Sequence, residues 1–176
     1  MQLKDIPGYN NFRKQTGNKI LLDTNIWLIF LIGLINVDYI SHCNRTSSYD
    51  KKDWNIIIKI IDKFKEIVTT PNIQTEVNNL GRQTLYGSYK QKFITLNKKF
   101  ILKSKEEVIS SKSVIDEKEE IFNRLGLTDT GIEIISHNNN TEIGVLTDDM
   151  NLFNRLLKSN IPVLNYSHIA EIIYDL

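Results

Sequence analysis

The sequence predicts an α/β domain with a central parallel sheet. Three observations carry that expectation. Short apolar runs, Ile20 to Leu22 and Ile143 to Thr147, end abruptly in carboxylates, at Asp23 and at Asp148-Asp149. Such runs suit strands buried on both faces, as in parallel sheets. Each is followed by an apolar segment of helical length, and this strand-then-helix alternation continues along the chain.

Each element is justified in order. Residues 1–18, with Pro7, Gly8 and Gly17, read as a polar N-terminal extension lying loosely on the domain. Residues 19–23 form the first strand, and 25–35 a helix buried in the core. Thr24 and Asn25 are residue types that cap a helix start. Residues 36–53 lack periodicity and predict a long polar loop. From Trp54 to Lys65 the apolar residues share one helical face. Ile67 to Thr70 predicts a second strand, rich in β-branched residues.

Pro71 then opens a helix capped by Thr70, and Gly81 supplies a stop. On that helix Glu76 shares the apolar stripe of Ile73, Val77 and Leu80, which predicts a carboxylate facing inward. Residues 82–125 predict a helical, lysine-rich insertion, its last helix ending before Gly126. Leu127 to Ile135 predicts a further helix, capped by Thr128 or by Thr130 with Glu133 as a capping box. A polar tract, His137 to Thr141, links to the strand at 143–147. Leu152 to Leu157 predicts a helix stopped at Asn160. A last strand at 161–164 starts near Pro162, and a helix at 168–174 ends the series. The whole is one domain over 1–176.

Composition excludes several classes. The chain of 176 residues carries 22 basic and 21 acidic side chains, for a formal net charge of +1. A polyanion partner would need a local patch rather than a global field. The single cysteine, Cys43, permits no intrachain disulfide and fits a reducing, cytoplasmic location. The apolar run from Ile26 to Ile35 falls short of the roughly 20 residues of a membrane span. His42, His137 and His168 lack metal-ligand spacing. There is no P-loop, dinucleotide fingerprint or nucleophile elbow.

Four acids remain. Asp23 and Asp149 follow strands, Glu76 lies on an apolar helical stripe, and Asp129 opens a helix. In a parallel sheet all strand ends and following helix starts share one edge, so these four are candidates to converge. Converging carboxylates need a counter-charge. Hard divalent cations with oxygen ligands supply it, and Mg²⁺ or Mn²⁺ suits an all-carboxylate site. Such ions over a phosphodiester activate water and stabilise the leaving oxygen. Lys90, Lys92, Lys98 and Lys99, interleaved with Tyr86, Tyr89, Phe93 and Phe100, read either as a solvated helix face or as a groove wall touching phosphates.

On LLDTNIWL (21–28), TTPNIQTEVNNL (69–80), LTDTGIEII (127–135) and VLTDDMNLFNRLLKSNIPVLN (145–165), the chain resembles the PIN-domain nucleases, including the VapC-type ribonucleases. The resemblance covers residues from about 19 to about 166, in order. It implies a Rossmann-like α/β/α sandwich and a Mg²⁺- or Mn²⁺-dependent endoribonuclease leaving 5′-phosphate and 3′-hydroxyl ends. Asp23, Glu76, Asp129 and Asp149 would be its metal-binding catalytic quartet, supported by Asn25 and Thr147. Asp148 and Glu133 are further metal candidates, and the four lysines candidate substrate contacts. RNA is the implied substrate. An antitoxin protein, as in toxin–antitoxin pairs, and a second copy of the chain are candidate partners. Longer segments at 1–18, 36–53 and 82–125 depart from the compact toxins. Two alternatives are a non-catalytic RNA-binding module on the same fold and a metal-dependent DNA nuclease.

Overall fold

In the computed structural model, residues 3, 6, 8–138 and 142–174 are described. Pro7 of the leader and residues 139–141 of the polar tract lie outside them. The chain forms an α/β/α sandwich around a parallel sheet of five strands, in the order β3-β2-β1-β4-β5. The strands are β1 (Lys19–Leu22), β2 (Glu66–Thr69), β3 (Lys105–Glu106), β4 (Ile143–Thr147) and β5 (Val163–Asn165). The central pair is β1 and β4, in register from Lys19 opposite Ile143 to Leu22 opposite Leu146. Both are buried along nearly their whole length, which is why they read as continuous apolar runs.

Among the described residues eight α-helices surround the sheet: α1 (Tyr9–Gln15), α2 (Thr24–Ile35), α3 (Lys51–Ile61), α4 (Pro71–Thr84), α5 (Gly87–Ile101), α6 (Ser111–Asn138), α7 (Met150–Lys158) and α8 (Tyr166–Tyr174). Helix α2 is apolar all round and is buried from Ile26 to Gly33, as expected of a core helix. Among the described residues no helix is long and apolar enough to cross a membrane.

Several expectations need correction. The leader is not a loose arm. Tyr9 and Phe12 of α1 are buried, and the Phe12 ring lies where a side chain on Gly144 would stand, 2.4 Å from its Cβ. Gly81 does not stop α4. A Cβ there would lie 2.1 Å from the Phe93 ring, so the glycine lets α5 pack against α4 and the helix runs on to Thr84. Residues 82–125 are not wholly helical, because Lys105 and Glu106 pair with Val68 and Thr69 and form an edge of the sheet. The loop at 36–53 contains a 3-10 helix, Val37–His42, and α3 begins three residues before Trp54, at Lys51, under a capping box of Asp50 and Asp53.

Helix α6 breaks where the sequence suggests. Gly126 has φ 80° and ψ −176°, a conformation essentially reserved for glycine. Neither expected threonine caps the following stretch. Thr130 returns its hydroxyl to the Gly126 carbonyl at 2.7 Å, and Thr128 points elsewhere. Pro162 precedes β5, and its carbonyl accepts from Val145 N at 2.9 Å. Asn160, with φ 55°, follows α7 as its expected stop.

Candidate functional site

The strands deliver their acids to one edge. Asp23 follows β1 and is itself the N-cap of α2, the place expected for Thr24 or Asn25. Its carboxylate accepts from Thr24 N at 2.5 Å and from the Thr147 hydroxyl at 2.8 Å, and it is 6% exposed. Asp149 follows β4 and caps α7, accepting from Asn151 N at 2.6 Å and Leu152 N at 2.9 Å. Asp149 N in turn donates to the Thr147 hydroxyl at 2.9 Å. One hydroxyl thus links both acids, the supporting role expected of Thr147.

Glu76 departs from its expected setting. The buried face of α4 is Ile73, Gln74, Val77 and Gly81, whereas Glu76 is exposed at its flank. It still faces the sheet edge, because its two oxygens accept from the hydroxyls of Thr24, at 2.9 Å, and Thr128. Asp129 starts the stretch after Gly126. Among the described residues no group donates a hydrogen bond to it.

Together with Thr24, Asn25, Arg45, Asn79 and Leu80, the four acids line one cavity of about 400 Å³. Their closeness shows in their proton affinities. Asp23 is pushed up to about 6, by burial first and by the charges of Asp149 and Glu76, against the opposing hydrogen bonds from Thr147 and Thr24. Asp129 is pushed up to about 7, again by burial first, then by Asp23, Asp149 and Glu76. As placed, among the described residues no three His, Cys, Asp or Glu side chains stand close enough to share one metal ion. The four acids line a common space without closing on one point. Mutual repulsion of carboxylates favours that spread.

The other expected site residues go elsewhere. Asp148 accepts from the Tyr49 hydroxyl and from Ser167, through both N (2.8 Å) and Oγ (2.5 Å). Glu133 is buried and held by Arg155 through two nitrogens, at 2.9 and 2.7 Å, with Ser159 adding a third bond. The hydrogen bonds from Arg155 and Ser159, and then the Arg155 charge, keep the Glu133 carboxyl below its usual range despite burial. Both acids therefore serve the scaffold and do not line the cavity. Asn25 lines the cavity, but among the described residues its side chain makes no hydrogen bond. None of Lys90, Lys92, Lys98 and Lys99 lines it. Tyr89, just before Lys90, accepts from Asn36 at 3.0 Å, beyond the far end of α2, about 18 Å of helix from Asp23.

Sequence reasoning missed Arg45, Asn79 and Thr128. Asn79 lies one helical turn beyond Glu76, a signal the spacing carried. Thr128 neighbours Asp129. Arg45 sits in an aperiodic loop, where spacing says nothing about direction. No family model, curated protein or solved structure matches this chain.

Proposed function

We propose that the protein is a divalent-metal-dependent endonuclease of the PIN-domain type, acting on RNA. The observation that carries this reading is the meeting of Asp23, Glu76, Asp129 and Asp149, from four separate elements, in one cavity at the carboxyl edge of a parallel sheet. Open α/β sheets bind their ligands at that edge.

The donor set fits a hard cation. Four carboxylates offer only oxygen, and two of them are driven toward neutrality by burial first and by their neighbours' negative charge. When bound, Mg²⁺ or Mn²⁺ would supply a water activated near neutral pH and a counter-charge for the leaving oxygen. The chain's own work is orientation. Thr147 and Thr24 N fix Asp23, Thr24 and Thr128 fix Glu76, and the first turn of α7 fixes Asp149. Each oxygen of Asp23 and Glu76 accepts one bond and keeps a lone pair, and Asp149, which accepts both of its bonds at Oδ1, keeps Oδ2 for a further partner. Asp129, bound by no donor among the described residues, keeps all of its own.

The test is cleavage of a labelled oligoribonucleotide with Mg²⁺ or Mn²⁺, beside a matched DNA, with Asp23→Asn and chelator controls. RNA cut only by the wild type with metal, leaving 3′-hydroxyl ends, is the expected result. Equal cutting by Asp23→Asn overturns the reading. Preference for the DNA moves the substrate but keeps the chemistry.

A further inference from the structure

We propose that a single polynucleotide strand crosses the carboxylate cavity from Arg45 into a second cleft, between α6 and α7, that binds the nucleotides beside the reacting phosphate. The proposal takes its ligand class from the nuclease reading. The groups that would do the binding are argued from the structure.

Among the described residues Arg45 is the one cationic residue lining the acid cavity. It is exposed, and among the described residues it makes no ion pair or hydrogen bond. An arginine beside four acids would ordinarily be taken for their counter-charge. Among the described residues Arg45 forms no ion pair with any of them. Its five-donor fork is left for a ligand. The backbone under it is fixed. Cys43 and Thr46 on either side are buried, Thr46 donates to Ile40 O at 2.7 Å, and Tyr49 is bound to Asp148. A free guanidinium on a pinned loop, held at the rim of an anionic cavity, suits a phosphate that approaches with its own cations.

The second cleft holds about 360 Å³ and meets the cavity at the start of α7, where the backbone N of Asn151, which lines the cleft, donates to Asp149 at 2.6 Å. Arg124 stands five residues before Asp129, on the other side of the break at Gly126. Arg124 and Lys158 bring positive charge, and Asn151 and Asn154 bring amides able to donate and accept. Ile121 and Leu125 give an apolar floor on which one face of a base can rest. Arg155 and Glu120 also border the cleft; the Arg155 charge is committed to Glu133, and the exposed Glu120 offsets part of the positive rim. Lys158 stands about 13 Å along α7 from Asp149, so the cleft extends the cavity and does not repeat it. Cationic rim, amide donors and apolar floor together match an unstacked nucleotide better than a bare anion.

The test is binding of a fluorescein-labelled single-stranded oligoribonucleotide, followed by anisotropy, in an Asp129→Asn background with Mg²⁺. Arg45→Gln and the pair Arg124→Gln/Lys158→Gln are each compared with Lys14→Gln on the exposed face of α1, and melting curves verify folding. Each test variant is expected to weaken binding by about fivefold to tenfold, and to flatten the salt dependence by about 0.7 per lost phosphate contact. Lys14→Gln should leave both unchanged, Arg45→Lys should recover part of the loss, and a duplex of the same sequence should compete poorly. Unchanged binding in either test variant, or an equal loss in Lys14→Gln, overturns the proposal. Binding that needs these residues, with no cleavage by the wild type, would sink the nuclease reading and leave the strand path standing. Cleavage with binding indifferent to them would do the reverse.

Discussion

The Thr147 hydroxyl donates to the Asp23 carboxylate at 2.8 Å, joining residues 124 apart in sequence. The contact ties the ends of the two central strands and places an otherwise costly buried acid. Thr147→Val removes it while keeping the shape. The variant should lose about 1.5–3 kcal/mol in urea unfolding near pH 8, where Asp23 is ionised. At pH 5 the loss should shrink, because Asp23, titrating about 6, then carries its own proton. Thr147→Ser should recover most of the stability.

The raised carboxyls also give the metal-free protein a pH dependence of definite sign. Asp23 and Asp129 titrate about 6 and about 7 in the fold, against an ordinary 3.8. A group that holds its proton more tightly when folded stabilises the fold in acid. That contribution is complete below about 3.8 and is lost as pH rises through 6 and 7. The melting temperature in chelator should therefore fall between pH 5 and pH 8, by less in Asp129→Asn than in wild type. At about 2 to 4 °C per kcal/mol for a domain of this size, thermal melts resolve the difference. Equal slopes would show that Asp129 does not titrate above its ordinary range in the fold.

Divalent cation should reverse that loss. A ligand that binds only the folded state adds about 2.7 kcal/mol at a hundred times its dissociation constant. Mg²⁺ or Mn²⁺ at pH 8 should raise the melting temperature of wild type, and raise that of Asp23→Asn or Asp129→Asn much less. Identical shifts in all three proteins would place the cation elsewhere.

Glu133 should behave as a scaffold acid. Its side chain is 2% exposed and its partner Arg155 is 32% exposed. Glu133→Ala strands a partly buried guanidinium and should cost about 3 kcal/mol in unfolding, the low end for a broken buried pair because Arg155 keeps some water. The cation-induced rise in melting temperature should survive the substitution.

The parts of the fold legible in the sequence were those with strong local pattern. β1 and β4 announced themselves because central parallel strands bury both faces and stop at a polar residue. The break at Gly126 was visible because its conformation excludes other residues. What escaped depended on contacts distant in sequence. β3 is two residues long and exists only because β2 presents an open edge. The continuation of α4 past Gly81 depends on the Phe93 ring, so Gly81→Ala should destabilise by about 1–3 kcal/mol in the same unfolding assay. At the site, Asp23, Asp129 and Asp149 were legible from their position at element ends, and Glu76 from its helical spacing. Helical spacing misplaced Glu76 toward the core, since a residue at the border of a stripe can turn either way. Arg45 was invisible because a loop's direction is set by its anchors, Tyr49 on Asp148 and Thr46 on Ile40, and those pairings have no period.

The sheet order has a consequence for synthesis. β1 is made early, but its neighbour β4 and the acid that caps α7 belong to residues 143–149. Until that stretch has left the ribosome, Asp23 lacks Thr147, Asp149 is missing, and the carboxylate cavity does not exist. A nascent chain is thus built with this cavity open and incomplete until most of its length has been made, so the four acids meet only late in synthesis.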